Sequence, residues 1–256
     1  MGTGTSVGVP AIGCRCEVCR SHDPLNRRTR TSVLLAAGDR RVLIDASIDL
    51  RQQALREELD RLDAVLITHG HADHVFGLDD VRMYNFRQQR PVPLYGNAGT
   101  LADIEKTFWY VFAGDAGPSS RPQLLLHRVE DVFEVAGLRV LPFTVIHGTM
   151  PILGYRIGRF AYITDANRIP DETVQRLSGL DVLVINALRR KPHPTHFNLD
   201  EALEAIGRIR PARAYLTHIS HEFDHAALCR ELPAGVAPAH DGLSFEVDHG
   251  EEHLEA

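Results

Sequence analysis

The segment His69-Gly70-His71-Ala72-Asp73-His74 places three imidazoles and a carboxylate within six residues, directly after the apolar run Ala64-Val65-Leu66-Ile67-Thr68. Imidazole nitrogens and carboxylate oxygens are donors that zinc, manganese and iron accept. Ligands at i, i+2, i+4 and i+5 can turn the first pair toward one metal and the second toward another. A solvated polar loop accounts poorly for so dense a cluster beside a buried strand. His147, Asp165 and His218 are weaker signals singly, since a lone histidine at a strand end is more often structural. Each, however, follows an apolar run as His69 does. Asp165 could bridge two ions, with His147 and His218 closing one sphere each. Asp73 is expected to serve the reaction as well as a metal. Two divalent metals ~3.5–4 Å apart, whether zinc, manganese or iron, would lower the pKa of a shared water and make it a nucleophile.

Cys14-Arg15-Cys16-Glu17-Val18-Cys19 brings three thiols into six residues. A disulfide between such close neighbours is geometrically awkward and disfavoured in a reducing cytoplasm. Three thiolates and one further ligand would instead make a closed tetrahedral zinc site. Candidates for the fourth position are His221, Cys229 and His22. His221 is favoured, because it follows His218 by three residues in Thr217-His218-Ile219-Ser220-His221 and could serve a second, structural metal. Cys229 falls in a helical stretch and reads as a buried inert thiol; His22 reads as part of the loop.

The elements that must position these groups are legible as apolar runs. Ser32–Ala37 and Arg41–Asp45 about Gly38-Asp39 read as a hairpin. Leu50–Leu62, Val75–Phe86, Leu101–Val111 and Leu199–Arg208 carry helical spacing. Short strands are expected at Ala64–Thr68, Val92–Gly96, Val132–Val135, Leu138–Thr144 and Gly154–Ile157. Others are expected at Phe160–Thr164, Asp181–Ile185 and Ala212–Thr217. Gly2–Gly13 and Gly114–Pro122 read as loops. Hairpins mixed with crossover helices predict two sheets packed together with helices outside. The 256 residues, 44% hydrophobic, suffice for a sizeable core. No run of ~20 apolar residues suggests a membrane helix, and the first residues do not read as a secretory signal, so a cytoplasmic location is expected. A net charge of -6 without a basic stripe disfavours nucleic acid as a partner.

The His-x-His-x-Asp-His motif with a later His, Asp and His resembles the metallo-β-lactamase superfamily, over nearly the whole chain. That resemblance implies an α/β fold, an αβ/βα four-layer sandwich of two mixed sheets flanked by helices, with metals at one edge. It implies one hydrolase domain over 1–256 with a zinc-binding loop at about 13–22. The Gly2-Thr3-Gly4-Thr5-Ser6 segment, the cysteine loop and Thr217–His221 together resemble the narrower PhnP-type phosphodiesterases. These open a small cyclic phosphodiester, phosphoribosyl 1,2-cyclic phosphate. The resemblance implies manganese at the catalytic pair, zinc at the cysteines, and a histidine near the substrate phosphate that matches His196. His196 is thereby a candidate general acid or phosphate contact, set against an exposed residue at a helix start. Asp45 resembles a carboxylate that orients a metal-bound histidine. Arg28 and Arg30 are better read as solvated loop residues than as phosphate contacts. The family pattern also implies a short strand ahead of Gly2, which this sequence lacks.

The leading expectation is therefore a dinuclear metal-dependent hydrolase acting on a small-molecule phosphodiester, with a homodimer as one possible assembly. A transfer-RNA 3′-processing nuclease, a thioester or lactone hydrolase, and a non-catalytic carrier similar to PqqB are the alternatives.

Overall fold

Apolar runs become strands covered on both faces. The computed structural model describes residues 1–114 and 120–247. Strands β1 (Val33–Ala37) and β2 (Arg40–Ile44) form the expected hairpin. Strands β3 (Ala64–Leu66), β4 (Val92–Gly96) and β5 (Leu124–Arg128) extend it in parallel. Among the described residues this sheet has five strands, in the order β1-β2-β3-β4-β5. The second sheet has seven. Antiparallel neighbours β6 (Phe133–Val135), β7 (Leu138–His147), β8 (Met150–Ile157) and β9 (Phe160–Ile163) make one part. Parallel strands β10 (Val182–Asn186), β11 (Arg213–Thr217) and β12 (Val236–Pro238) complete it, in the order β12-β11-β10-β9-β8-β7-β6.

Helices cover the outer faces. They are α2 (Leu50–Arg56), α4 (Arg82–Gln88), α5 (Ala98–Thr107), α6 (Trp109–Phe112), α7 (Asp171–Arg176), α8 (Leu199–Ile209) and α9 (His225–Glu231), while the short α1 (Glu17–Arg20) belongs to the cysteine loop and α3 (Ala72–Val75) carries Asp73 and His74. Strand alternation sorts the core into three layers of side chains. Leu43, Val65, Ile67, Val92 and Leu94 pack outward toward α2, α4 and α5, while Val42, Ile44, Ala64 and Leu66 face the second sheet. Val182, Val184 and Tyr162 meet them from that sheet, and Leu183, Ile185 and Leu216 turn outward to α8 and α9. Burial on both faces explains why these strands read as unbroken apolar runs rather than alternating ones. The four-layer αβ/βα sandwich is the architecture expected.

Several boundaries differ. The stretch expected as one helix from Val75 is α3, a 3₁₀ segment Phe76–Val81 and α4. In that 3₁₀ segment the chain passes so close to Ser47 that only glycine fits at Gly77, where a Cβ would lie 2.1 Å from the Ser47 carbonyl oxygen. Helix α2 stops at Arg56 instead of reaching Leu62, and α5 ends before Trp109, where α6 starts. Strands β7 and β8 are longer than expected, carrying the hairpin to His147. Strands β5 and β12 and helix α7 have no counterpart among the expected elements. Of the expected 114–122 loop, residues 115–119 lie outside the described residues.

Candidate metal centre

The parallel strands of both sheets end on one side of the sandwich, and the chain bends sharply there. Asp45 follows β2, Asp165 lies two residues past β9, and His218 follows β11. All three adopt left-handed backbone, with φ of 62°, 57° and 54°. This conformation costs an L-residue about 1–2 kcal/mol and is concentrated where structure is bent to function. Each bend carries a side chain of the cluster.

The structure brings the seven sequence candidates into two adjoining groups. His69, His71 and His147 form one; Asp73, His74, Asp165 and His218 form the other, with donor atoms inside each group within 4.8 Å of one another. Asp165 stands between them: Oδ1 lies 3.3 Å from Nε2 of both His74 and His218, and Oδ2 lies 3.8 Å from His69 Nε2. Asp73 Oδ2 faces His74 Nε2 at 3.2 Å and His218 Nε2 at 3.5 Å. Ligands held ~2.0–2.2 Å from a tetrahedral cation would be spaced by about 3.3–3.6 Å, so the spacing fits a shared ion.

Unpartnered atoms make the same case. His69 Nε2, Asp73 Oδ2, His74 Nε2 and both ring nitrogens of His218 are buried without a hydrogen-bond partner. Each such atom costs ~1–3 kcal/mol if nothing satisfies it, and four of them, all but the outer Nδ1 of His218, converge as a cation centre would require. Ionisation points the same way. Burial would raise Asp73 and Asp165, yet the neighbouring imidazoles outweigh it and hold both below the usual carboxylate range. Burial, reinforced by other histidines, pushes His69 and His71 down, leaving neutral rings that metals accept, whereas against burial Asp165 and Asp45 hold His74 up, so an ion there would displace its proton.

The outer ring nitrogens are mostly tethered. His74 Nδ1 lies 2.7 Å from Asp45 Oδ2, and Asp45 is fully buried. Thr68 donates its N–H to Asp45 Oδ1 at 2.8 Å and its hydroxyl approaches His69 Nδ1 at 3.0 Å. His147 Nδ1 donates to the Thr195 carbonyl at 2.8 Å. Such contacts fix ring orientation and tautomer. Asp45 thus has the orienting position its resemblance implied. Thr68 and Thr195 are not singled out by the sequence; their only signal is adjacency to His69 and His196.

His196 is held against this centre instead of standing in solvent. Its side chain is 13% exposed, Nε2 lies 3.1 Å from Asp165 Oδ2, and Nδ1 lies 2.9 Å from Thr195 Oγ1. Its ring centroid is 4.8 Å from His147 and 5.0 Å from His218, so it faces both groups. His193, not anticipated, packs beside it at 3.1 Å between Nδ1 atoms.

Cys14, Cys16, Cys19 and His221 converge separately, and no disulfide joins them. His221 Nδ1 lies 3.6 Å from Cys14 Sγ and 3.4 Å from Cys16 Sγ. Zinc with ~2.3 Å bonds to sulfur and ~2.0 Å bonds to nitrogen would space these atoms by about 3.5 Å. The Cys19 and Ala11 amides donate to Cys16 and Cys19 sulfurs. Burial pushes the Cys19 thiol up to about 11, so a bound cation would be needed to ionise it near neutrality. The set fits zinc. His22 is exposed and outside the group; Cys229 is exposed on α9, not the buried thiol expected. Arg28 also differs: it is 3% exposed, donating to Thr3 Oγ1 and the Ala239 carbonyl beside His225. Arg30 pairs with Asp49.

Residues 40–219 match the family described as the beta-lactamase superfamily domain. The chain belongs to that superfamily. Within the β-lactamase superfamily it is PhnP-like. The crystal structure of a new diphosphatase from the PhnP family superimposes with a TM-score of 0.89 at 46% identity, covering 94% of this chain and 93% of that one. Zinc-bound PqqB from Methylobacterium extorquens gives a TM-score of 0.77 at 25% identity, covering 96% and 98%. An octanoyltransferase of Porphyromonas gingivalis is 43% identical over 97% of this chain but only 51% of its own length, so this chain spans about half of that protein. Superfamily membership and the converging donors together support a metal-dependent hydrolase.

Proposed function

We propose that this protein is a dinuclear metal-dependent phosphohydrolase cleaving a phosphodiester of a small molecule. The observation that carries the reading is Asp165: one buried carboxylate faces His69, His74, His218 and His196 together. His69, His71 and His147 would hold one ion; Asp73, His74 and His218 the other, with Asp165 shared between them. When bound, the ions supply a water of lowered pKa and neutralise phosphoryl charge.

The protein's own groups do the rest. Asp45, Thr68 and the Thr195 carbonyl keep three of the ligand rings in one orientation. His196, with its Nδ1 side engaged by Thr195, presents Nε2 toward the shared carboxylate, where an N–H can meet a phosphoryl or leaving oxygen. Asp73, whose Oδ2 faces His74 and His218 Nε2, would help hold the second ion and would accept a hydrogen bond from the attacking water.

The structural relative at 46% identity is a diphosphatase, which favours a diphosphate linkage as a second reading of the scissile bond. Cyclic phosphodiester and diphosphate differ in leaving group, not in the demands on this site. The octanoyltransferase name describes a protein about twice as long, and it supplies no step here. The test is turnover by protein reconstituted with manganese on bis(p-nitrophenyl) phosphate, then on a ribose cyclic phosphate and a dinucleoside diphosphate. Turnover above the metal-free control is expected on at least one; none on any would contradict the reading.

A further inference from the structure

His218 departs from the other buried ligand histidines. The outer nitrogens of His69, His74 and His147 each meet a protein oxygen at 2.7–3.0 Å. His218 is 1% exposed, yet its Nδ1 has no partner. Rings of His74 and His196 lie nearly parallel to it, at 6.1 and 5.0 Å between centroids, limiting tilt but not anchoring the residue. A metal-bound histidine without an outer tether needs another source of orientation.

Its backbone provides one. Ile219, next in sequence, donates to the Thr3 carbonyl at 3.0 Å and accepts from the Thr5 amide at 3.2 Å; Ser220 donates to the Leu188 carbonyl at 3.0 Å. Gly4 bridges Ile219 on one side and Arg30 on the other, and a Cβ there would meet the Arg28 carbonyl at 2.8 Å, so the glycine keeps this segment close to Arg28–Arg30. Two residues further, His221 closes the cysteine cluster. The left-handed turn at His218 is thus held between a bridge at Ile219 and a ligand at His221.

We propose that the Cys14, Cys16, Cys19 and His221 zinc site is a positioning device for His218, replacing the outer hydrogen bond this ligand lacks. The inference rests on the dinuclear reading above. Occupancy of the thiolate site then controls affinity for the ion shared by Asp73, His74, Asp165 and His218, and leaves the ion of His69, His71 and His147 largely unaffected. The two sites are coupled through the short run of chain from His218 to His221, not through the bulk of the fold.

The test uses the holoprotein on a Cys229→Ser background, which removes the exposed thiol outside the cluster. A mercurial such as p-hydroxymercuribenzoate takes up the thiolates and releases zinc. Manganese binding to the catalytic pair is followed by electron paramagnetic resonance, and folding by circular dichroism. Zinc release should weaken the second manganese at least tenfold, converting a spin-coupled pair into a mononuclear signal, with the first manganese within about twofold. His221→Ala should do the same, and His221→Cys, which keeps a closed thiolate site, should restore the pair. Should His221→Ala fail to fold, the mercurial titration still decides. Unchanged affinity for both manganese ions after zinc release would overturn the coupling alone. Native protein that binds no manganese or zinc at the His/Asp groups would overturn the dinuclear reading and this inference with it.

Discussion

At the scale of single residues, the proposed reading divides the site into groups that would hold ions and one, His196, that would meet substrate. His196→Ala should leave two catalytic ions in place while lowering kcat by about 10²–10⁴-fold; metal analysis beside steady-state kinetics checks both halves. Asp45→Asn should instead act through His74, weakening metal binding about 10–100-fold with the fold intact, measured by competition with a chelating indicator. The ligand types and their spacing are legible in the sequence, because metal chemistry admits few donors and the motif concentrates them. Tethers are less so. Asp45 can be flagged, yet Thr68 and Thr195 act through a hydroxyl and a carbonyl that no residue pattern advertises. Arg28 and Cys229 depart from expectation for separate reasons: a guanidinium can be buried once its donors are satisfied, and a cysteine on a helix is buried only if its face is.

At the scale of elements, hairpin β7–β8 carries His147 to the site and depends on an awkward sequence. Pro142 interrupts the ladder chemistry of β7, but β6 pairs only as far as Val140, leaving Pro142 where the strand is an edge on that side. Gly154 sits opposite Phe143, whose ring covers it; an added Cβ would lie 2.3 Å from Cε2. The expected first strand already spans Pro142 and stops at Thr144, and the second starts at Gly154, so the real hairpin adds the residues that approach its turn. Gly154→Ala should cost about 1–3 kcal/mol by overpacking, seen as a lower midpoint in urea. Helix α8 is legible nearly to its end, as its buried Leu199, Ala202, Ala205, Ile206 and Ile209 keep one face. Asn198 and Glu201 close its start with a capping box beside His196. Asn198→Ala should lower stability by about 1 kcal/mol.

At the scale of the whole molecule, two α/β layers meet across an inner core, and the candidate metal centre lies where parallel strands of both end. The layer order is accessible from apolar runs and crossover helices; strand neighbours within each sheet are not, since pairing is a long-range property. Asp63 shows how charge ties one end of the first sheet together: it accepts from Arg61, Arg90 and the Arg41 amide. Burial would raise its pKa, but these donors win and hold it below the usual range. A depressed carboxylate contributes stability that is complete above its unfolded pKa of ~3.9 and is lost as pH falls through the folded value. Asp63→Asn should therefore reduce stability at neutral pH by about 1.5–3 kcal/mol and flatten the acid limb of a stability–pH curve. Chelation should also lower the melting temperature, since an ion at 100-fold its Kd contributes about 2.7 kcal/mol. The most direct measurement is anomalous diffraction from crystals of the metal-loaded protein, recorded at the zinc and manganese edges. Two peaks ~3.5–4 Å apart, flanking Asp165, with a third among Cys14, Cys16, Cys19 and His221, are the predicted result. A fully loaded crystal with no ion between His69, His71 and His147, or none touching Asp165, would contradict the account.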